Sequence, residues 1–387
     1  MRLNRIYFDN AATTPVDPRV AETMMYFMVE NFGNASSLHA DGNRAREVLD
    51  ISRKTIADSL GATPDEICFT SSGTESNNLA LKGIAFANRD RGNHIIVSAI
   101  EHDSILNSCQ WLENQGFFVT YLPVNPNGII DLGVLASHIT KKTVLVSIMH
   151  ANNEIGTIQP LMEIGRITKE NGIYFHSDAC QSYGKIPLNV TEMNLDLVTI
   201  NSHKIYGPKG VGALFVKRGT RIEPILHGGG QEHRLRSSTE NIGGIAAFAA
   251  AATLCMEEMK NENIRISAMR ERLIQSLQEE IEDVYINGDP VLRLPGNINF
   301  CMAGREGESI RLLLMLDEEG ISVSTGSACS NNSDNSASHV LQAIGLNPFE
   351  ARGPIRISLG RFNTEDEITE FLQIFKKTVE KLNPIFS

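Results

Sequence analysis

The stretch LDLVTINSHKIYGPKGVGALFV, residues 195–216, sets two largely apolar runs around a polar turn that carries a lysine. Neither run, 195–200 nor 211–216, shows the polar–apolar alternation of a sheet with one wet face, so both are predicted as strands buried on two sides. Working outward, similar runs occur at residues 94–100, 119–124, 143–149 and 173–177, with helical patterns such as 160–171 between them. Strands of this kind separated by helices predict an α/β fold with a mostly parallel sheet covered on both faces. The pattern changes near Asn261. A long charged helix over 262–281 leads to strands at 296–302, 320–325 and 354–360, a smaller α+β unit. Two domains are expected: a large one over 16–260, and a smaller one made of 1–15 and 261–387.

The totals narrow the function classes. The chain has 387 residues, 42% apolar and 21% charged, with a formal net charge of −11. Such an acid excess argues against direct nucleic-acid binding and against an anionic membrane surface. The start, MRLNRIYFDNAATTP, shows no secretory leader, and the apolar run 242–256 reads as a buried helix rather than a membrane span. Six scattered cysteines without a CxxC pair suit a reducing compartment, so a cytoplasmic location without disulfides is expected.

In open α/β sheets, ligands sit outside the carboxyl ends of the strands. The polar residues expected there form a set. Residues 70–83, TSSGTESNNLALKG, open a helix at Ser71, Ser72, Gly73 and Thr74, which is an ordinary N-cap or an anion cradle. His102 follows one strand in EHDS, and Asn152 and Asn153 follow another in HANNEIG. Asp178, with Gln181 a turn later, follows a third, and Lys204 follows the run at 195–200. Each has a plain structural reading as a cap or a loop-satisfying group. Together they are the parts pyridoxal phosphate needs: a helix start for its phosphate, an acid for its ring nitrogen, a histidine for its ring face and a lysine amine for its aldehyde.

At this point the chain resembles the cysteine desulfurases of the NifS/IscS type. The resemblance rests on DNAATTPVDPRV, TSSGTESNNLALKG, MHANNEIG, DACQS, SHKIYGPKGVGAL, HGGGQEHRLRSSTEN, STGSACS and IRISLGRFNTEDEI, which occur in that order from about Tyr7 to about Ile374. It implies pyridoxal-phosphate fold type I, with a seven-stranded, mostly parallel sheet in the large domain. It also implies a reaction that takes L-cysteine to L-alanine and leaves the sulfur on an enzyme cysteine as a persulfide. Lys204 matches the lysine that holds the cofactor, Asp178 the partner of its ring nitrogen, Gln181 the donor to its phenolic oxygen and His102 the residue stacked on its ring. Gly73, Thr74 and His203 match the phosphate cradle, and Asn201 stands where the family usually has a serine. Thr239 matches a phosphate ligand donated by the other subunit of a homodimer. Asn153 and Arg356, with Ala11 and Thr13 of the opening motif, match the substrate side. Cys329 matches the sulfur-accepting nucleophile. It is also the cysteine that would ligate an iron–sulfur cluster transiently with a scaffold partner, if that partner rather than another acceptor takes the sulfur.

Composition alone also separates Cys329 from the other five cysteines. It sits in STGSACSNNSDNSAS, small and polar throughout, whereas Cys68, Cys109, Cys255 and Cys301 lie in apolar or helical contexts and Cys180, between Ala179 and Gln181, is closer to the site but reads as filling space. Two rival readings keep less of the sequence. An aminotransferase or selenocysteine lyase gives Cys329 a less direct role, and a non-catalytic relic would be free to lose Lys204, Asp178 or Arg356.

Overall fold

A short strand, β1 (Ile6–Tyr7), precedes the seven strands of the main sheet: β2 (Ile67–Thr70), β3 (His94–Ser98), β4 (Phe118–Leu122), β5 (Thr143–Ser147), β6 (Tyr174–Asp178), β7 (Leu197–Asn201) and β8 (Gly212–Val216). A computed structural model describes residues 5–325 and 337–382. The sheet order is β2-β8-β7-β6-β5-β3-β4. The β4, β3, β5, β6 and β7 strands pair in parallel, and β8 runs antiparallel to both β7 and β2. Four parallel strands therefore end side by side, at Ser98, Ser147, Asp178 and Asn201. β2 was not among the expected strands. Its four residues, ICFT, are too short a run to show a period, and its pairing with β8 is a non-local contact.

The helices of this half are α1 (Pro18–Val29), α2 (Ala40–Leu60), α3 (Gly73–Ala87), α4 (Asp103–Glu113), α5 (Leu132–His138) and α6 (Leu161–Glu170). One face of the sheet buries Ile96, Val146, Phe175 and Val198 together with Leu49 and Ile56 of α2. The other buries Ile95, Val97, Leu145 and Leu197 against Leu81 and Ile84 of α3 and Cys109 of α4. Successive residues of one strand thus feed opposite cores, which is why these runs do not alternate.

The stretches expected as two helices, 242–256 and 262–281, are a single helix, α7 (Ile242–Glu280), of 39 residues. The joining residues, Glu257–Asn261, contain neither glycine nor proline, so nothing breaks the helix where its composition changes. The helix is long and apolar enough to cross a membrane by length and composition, but 61% of its most apolar window is buried inside the fold. Its first half packs on α1 and α2, and its second half belongs to another core. That core holds Met269, Leu273 and Leu277 of α7, strands β9 (Val284–Ile286) and β10 (Asn297–Met302), and α8 (Ser309–Glu318). It also holds β11 (Ile321–Ser322), then, after α9 (His339–Ala343), β12 (Ile355–Ser358) and α10 (Glu365–Leu382). The strand expected over 320–325 is only the two residues of β11, which pair in parallel with β1.

Arg361 joins the pieces near the chain start. Its guanidinium reaches Asp17 (2.9 Å), Glu258 (3.0 Å) and Glu262 (2.7 Å) and lies 4.5 Å from the centre of the Tyr206 ring. The smaller core is closed by a phenylalanine cluster: Phe371 stacks on Phe375 at 5.2 Å and Phe300 meets Phe375 edge-on at 5.8 Å, all at 0% exposure. Replacing Phe375 with alanine empties that cluster and is expected to cost about 3–5 kcal/mol of unfolding free energy, measurable as a lower denaturant midpoint with an unchanged slope.

Candidate active site

The exits of β3, β5, β6 and β7 converge on a cavity of about 170 Å³. Lys204, Asp178, His102, Asn153, Gln181, Asn201, His203, Thr74 and Gly73 all line it.

The β2 exit supplies the helix start. Ser72 caps α3 by accepting the Glu75 N–H, as expected of the TSSGT pattern. Gly73 follows at closest approach to the sheet: a Cβ there would lie 2.5 Å from Cys180 Sγ and 3.4 Å from Asn201 Nδ2. Only glycine lets this helix end sit against the β6 and β7 exits.

Asp178 closes β6 and is almost fully buried. Its Oδ1 accepts the Cys180 N–H at 2.9 Å and its Oδ2 accepts the Asn77 amide at 2.7 Å. Burial alone would raise its pKa, but the facing His102 and these hydrogen bonds outweigh it, and the group sits below the ordinary carboxylate value. His102 caps α4, its Nδ1 accepting the Ser104 N–H at 3.0 Å. Burial lowers its pKa against the pull of Asp178, so the ring is neutral near pH 7. Gln181 donates its Nε2 to the Ala11 carbonyl at 2.9 Å, and its Oε1 is buried without a partner among the described residues.

The β7 exit carries the lysine turn. Thr14 grips it from the chain start: its N–H and its hydroxyl both donate to the His203 carbonyl, and its Oγ1 accepts the Tyr206 N–H at 2.8 Å. Tyr206 takes a left-handed φ of 67° within this turn. His203 Nδ1 lies 3.2 Å from Thr13 Oγ1. Burial and the neighbouring Lys204, Lys209 and Lys185 push its pKa to about 4. Lys204 is half-buried, and its amine has no hydrogen-bond or ion-pair partner among the described residues.

Arg356, Ala11 and Thr13 do not line the cavity but sit directly behind its lining. Arg356 donates Nη1 to the Asn153 carbonyl at 3.0 Å and pairs Nη2 with Asp9 at 2.9 Å, while its Nε is buried without a partner among the described residues. Asn152 holds the Asn153 loop: its Oδ1 accepts from Glu154 and Ile155, and its Nδ2 donates to the Ile100 carbonyl. Thr239 is exposed and does not line the cavity. Cys329 lies outside the described residues.

Sequence reasoning missed Asn77, Ser104, Ala12 and Met149, which also line the cavity. Asn77 carried a usable signal. It stands four residues after Gly73 and therefore on the same helix face. Cys180, read as filling space, lines the cavity between Asp178 and Gly73, its thiol pushed far up by burial and by Asp178.

The model of the aminotransferase class-V family matches residues 6–371, so the fold and the site together define a member of that family, whose cofactor is pyridoxal phosphate. Similar proteins narrow this. The cysteine desulfurase IscS of Dictyoglomus turgidum is 49% identical over 381 residues, 98% of this chain and 96% of its own. A solved NifS-like protein is 38% identical, with a TM-score of 0.91 over 98% of this chain and all of its own. The structure of SspA in complex with cysteine is 37% identical, with a TM-score of 0.81 over 93% of this chain and all of its own. The chain belongs to the IscS/NifS cysteine desulfurases within the class-V family.

The residues present fit the cofactor. A glycine-opened helix end, a buried carboxylate kept charged, a neutral histidine and an amine without a partner among the described residues share one cavity. A methyl at Gly73 would intrude on that cavity. Gly73→Ala is expected to bind pyridoxal phosphate about 10-fold more weakly, equivalent to roughly 1.4 kcal/mol, when apoprotein is titrated and followed by absorbance.

Proposed function

We infer that this chain is a pyridoxal-phosphate-dependent cysteine desulfurase that converts L-cysteine to L-alanine and carries the sulfur away as a persulfide on Cys329. The observation that supports this reading most is the shared cavity of Lys204, Asp178 and His102, with Arg356 held behind it on the Asn153 carbonyl.

Lys204, Asp178, His102, Gln181, Asn201, His203, Gly73 and Thr74 would hold the cofactor, which supplies an electron sink for bond changes at the carbon bearing the substrate's amine. Lys204 offers an amine that can bond the cofactor and then move the proton at the substrate's α-carbon. Asp178, anionic through its hydrogen bonds, would face the ring nitrogen. Neutral His102 can accept a proton beside the cavity. The planar fork of Arg356 suits the substrate carboxylate, which would share it with Asp9. The Cys329 thiolate would bond to the substrate sulfur as the carbon–sulfur bond breaks. The electron pair then passes to the carbon skeleton, which takes up a proton to become alanine.

The same reading covers the assembly and the acceptor. Thr239, exposed and away from its own cavity, would serve the site of a second copy in a homodimer. The exposed apolar side chains of Met25, Met28 and Phe32 near α1 support a covered face there. The division into a cofactor-binding domain, 16–260, and a smaller domain, 1–15 with 261–387, is supported by two separate apolar cores that α7 bridges. The sulfur would pass in the cytoplasm to an iron–sulfur scaffold protein or another thiolation pathway, with Cys329 able to ligate a nascent cluster beside the scaffold's own ligands.

Cys329→Ala is expected to keep the visible absorbance of the bound cofactor and to lose alanine and sulfide formation. In the unmodified protein, mass spectrometry after L-cysteine treatment is expected to find one added sulfur atom on the Cys329 peptide. Full turnover by the variant would refute the assignment.

A further inference from the structure

The EHDS motif contains one group that the reaction above leaves unused. Glu101, just before His102, is at 0% exposure. Its Oε1 accepts the Ser98 hydroxyl at 2.6 Å and the Met149 N–H at 2.8 Å. Its Oε2 is buried with no hydrogen-bond partner among the described residues. A carboxylate oxygen sealed from water, with neither donor nor counter-ion, is strongly disfavoured, whereas the neutral acid is tolerated. Burial sets the direction: against the pull of the two hydrogen bonds, and helped by the negative charge of Asp178, it pushes the Glu101 pKa up to about 8.

Two neighbouring segments, the Asn153 loop and the start of α9, meet on this residue. Oε1 holds Met149, where the loop to Asn153 begins. One residue upstream of Glu101, the Ile100 carbonyl accepts the Asn152 amide at 2.9 Å, a second tie to the same loop. The Glu101 carbonyl itself accepts His339 Nε2 at 3.0 Å, at the start of α9. Next to His339, the Ser338 hydroxyl donates to the buried Glu154 carboxyl at 2.6 Å. Ile100, Met149, Ile155, Val340 and Leu341 form the apolar floor of this junction. The titratable groups around Glu101 are Asp178 at the end of β6, Cys109 on α4, the adjacent His102, and His339 with Glu154 across the junction.

We propose that Glu101 is a positioning residue for the desulfurase reaction, its sealed carboxyl tying the turn that carries His102 to the loop that carries Asn153. The proposal rests on the functional reading above. Ionisation would strengthen the two hydrogen bonds that Oε1 accepts, but it would place a second negative charge near Asp178 without solvent, and that repulsion would drive the side chain toward water and move both cavity residues.

The test compares wild type, Glu101→Gln and Glu101→Ala as cofactor-loaded enzymes. Glutamine reproduces the neutral acid's shape and cannot ionise. The ratio of kcat/KM for alanine release, Glu101→Gln over wild type, is expected to stay flat up to about pH 7 and to rise about 10-fold by about pH 9. Glu101→Ala is expected to lose about 10-fold or more throughout, because it leaves the Met149 N–H unpaired. A readout independent of turnover is the melting temperature. The native carboxyl keeps a proton that the unfolded chain releases near the ordinary glutamate value. Wild type should therefore lose stability relative to Glu101→Gln as pH rises from about 5 to about 8, and the difference should level off above that. A flat activity ratio, a glutamine variant as impaired as the alanine one, or a melting difference independent of pH would each overturn the proposal. A cofactor-loaded wild type that releases no alanine from L-cysteine would refute the functional reading instead, and the melting comparison would still decide the state of Glu101.

Discussion

A carboxylate stripped of water survives only if donors replace that water, and Asp178 is where this fold meets that demand. It sits at the end of a strand paired on both sides, under the first turn of α3 and against His102. Its charge is kept by the Cys180 N–H and the Asn77 amide. Asn77 can reach it only because α3 starts hard against the sheet, which Gly73 permits. The helix start, the aspartate and the lysine turn are thus one packing problem with one solution. Unsatisfied, that buried charge would cost several kcal/mol, comparable to the net stability of a whole domain.

The lysine turn shows the same economy. Its backbone is gripped by Thr14 from the chain start, so the first residues of the protein shape a site contributed mostly by residues 70–210. The pairing of β1 with β11, the Ser358 carbonyl accepting the Asn10 N–H, and the Arg361 cluster hold that segment to the C-terminal core. Arg356, on β12 of that core, reaches across to the Asn153 carbonyl. The group suited to a substrate carboxylate and the groups suited to the cofactor therefore stand on different cores, in a register fixed by these cross-links.

Much of this was legible in the sequence, for a physical reason. A strand buried on both faces is an unbroken apolar run, so its end is visible, and in a parallel sheet the ends are where chemistry collects. Lys204, Asp178, His102 and Asn153 each follow such a run and each stand on the cavity. What stayed hidden is non-local or compositional. β2 is too short to carry a period. The continuity of α7 is masked by a change from alanine-rich to charged residues that alters its burial but not its helicity. Asn77 meets an aspartate 101 positions away, and Arg356 an Asp9 347 positions away, contacts that no window of sequence contains. Glu101 was passed over because a glutamate beside a histidine reads as surface, and only the packed β3–β5 exits bury it.

The central claim is that the amine of Lys204 is the one that bonds pyridoxal phosphate. The most direct measurement is borohydride reduction of the cofactor-loaded protein, followed by proteolysis and mass spectrometry of every lysine-containing peptide. A stable cofactor mass on the peptide containing Lys204, and on no other, is the predicted result. The same mass on Lys185, Lys209 or any other lysine, with Lys204 unmodified, would contradict the account.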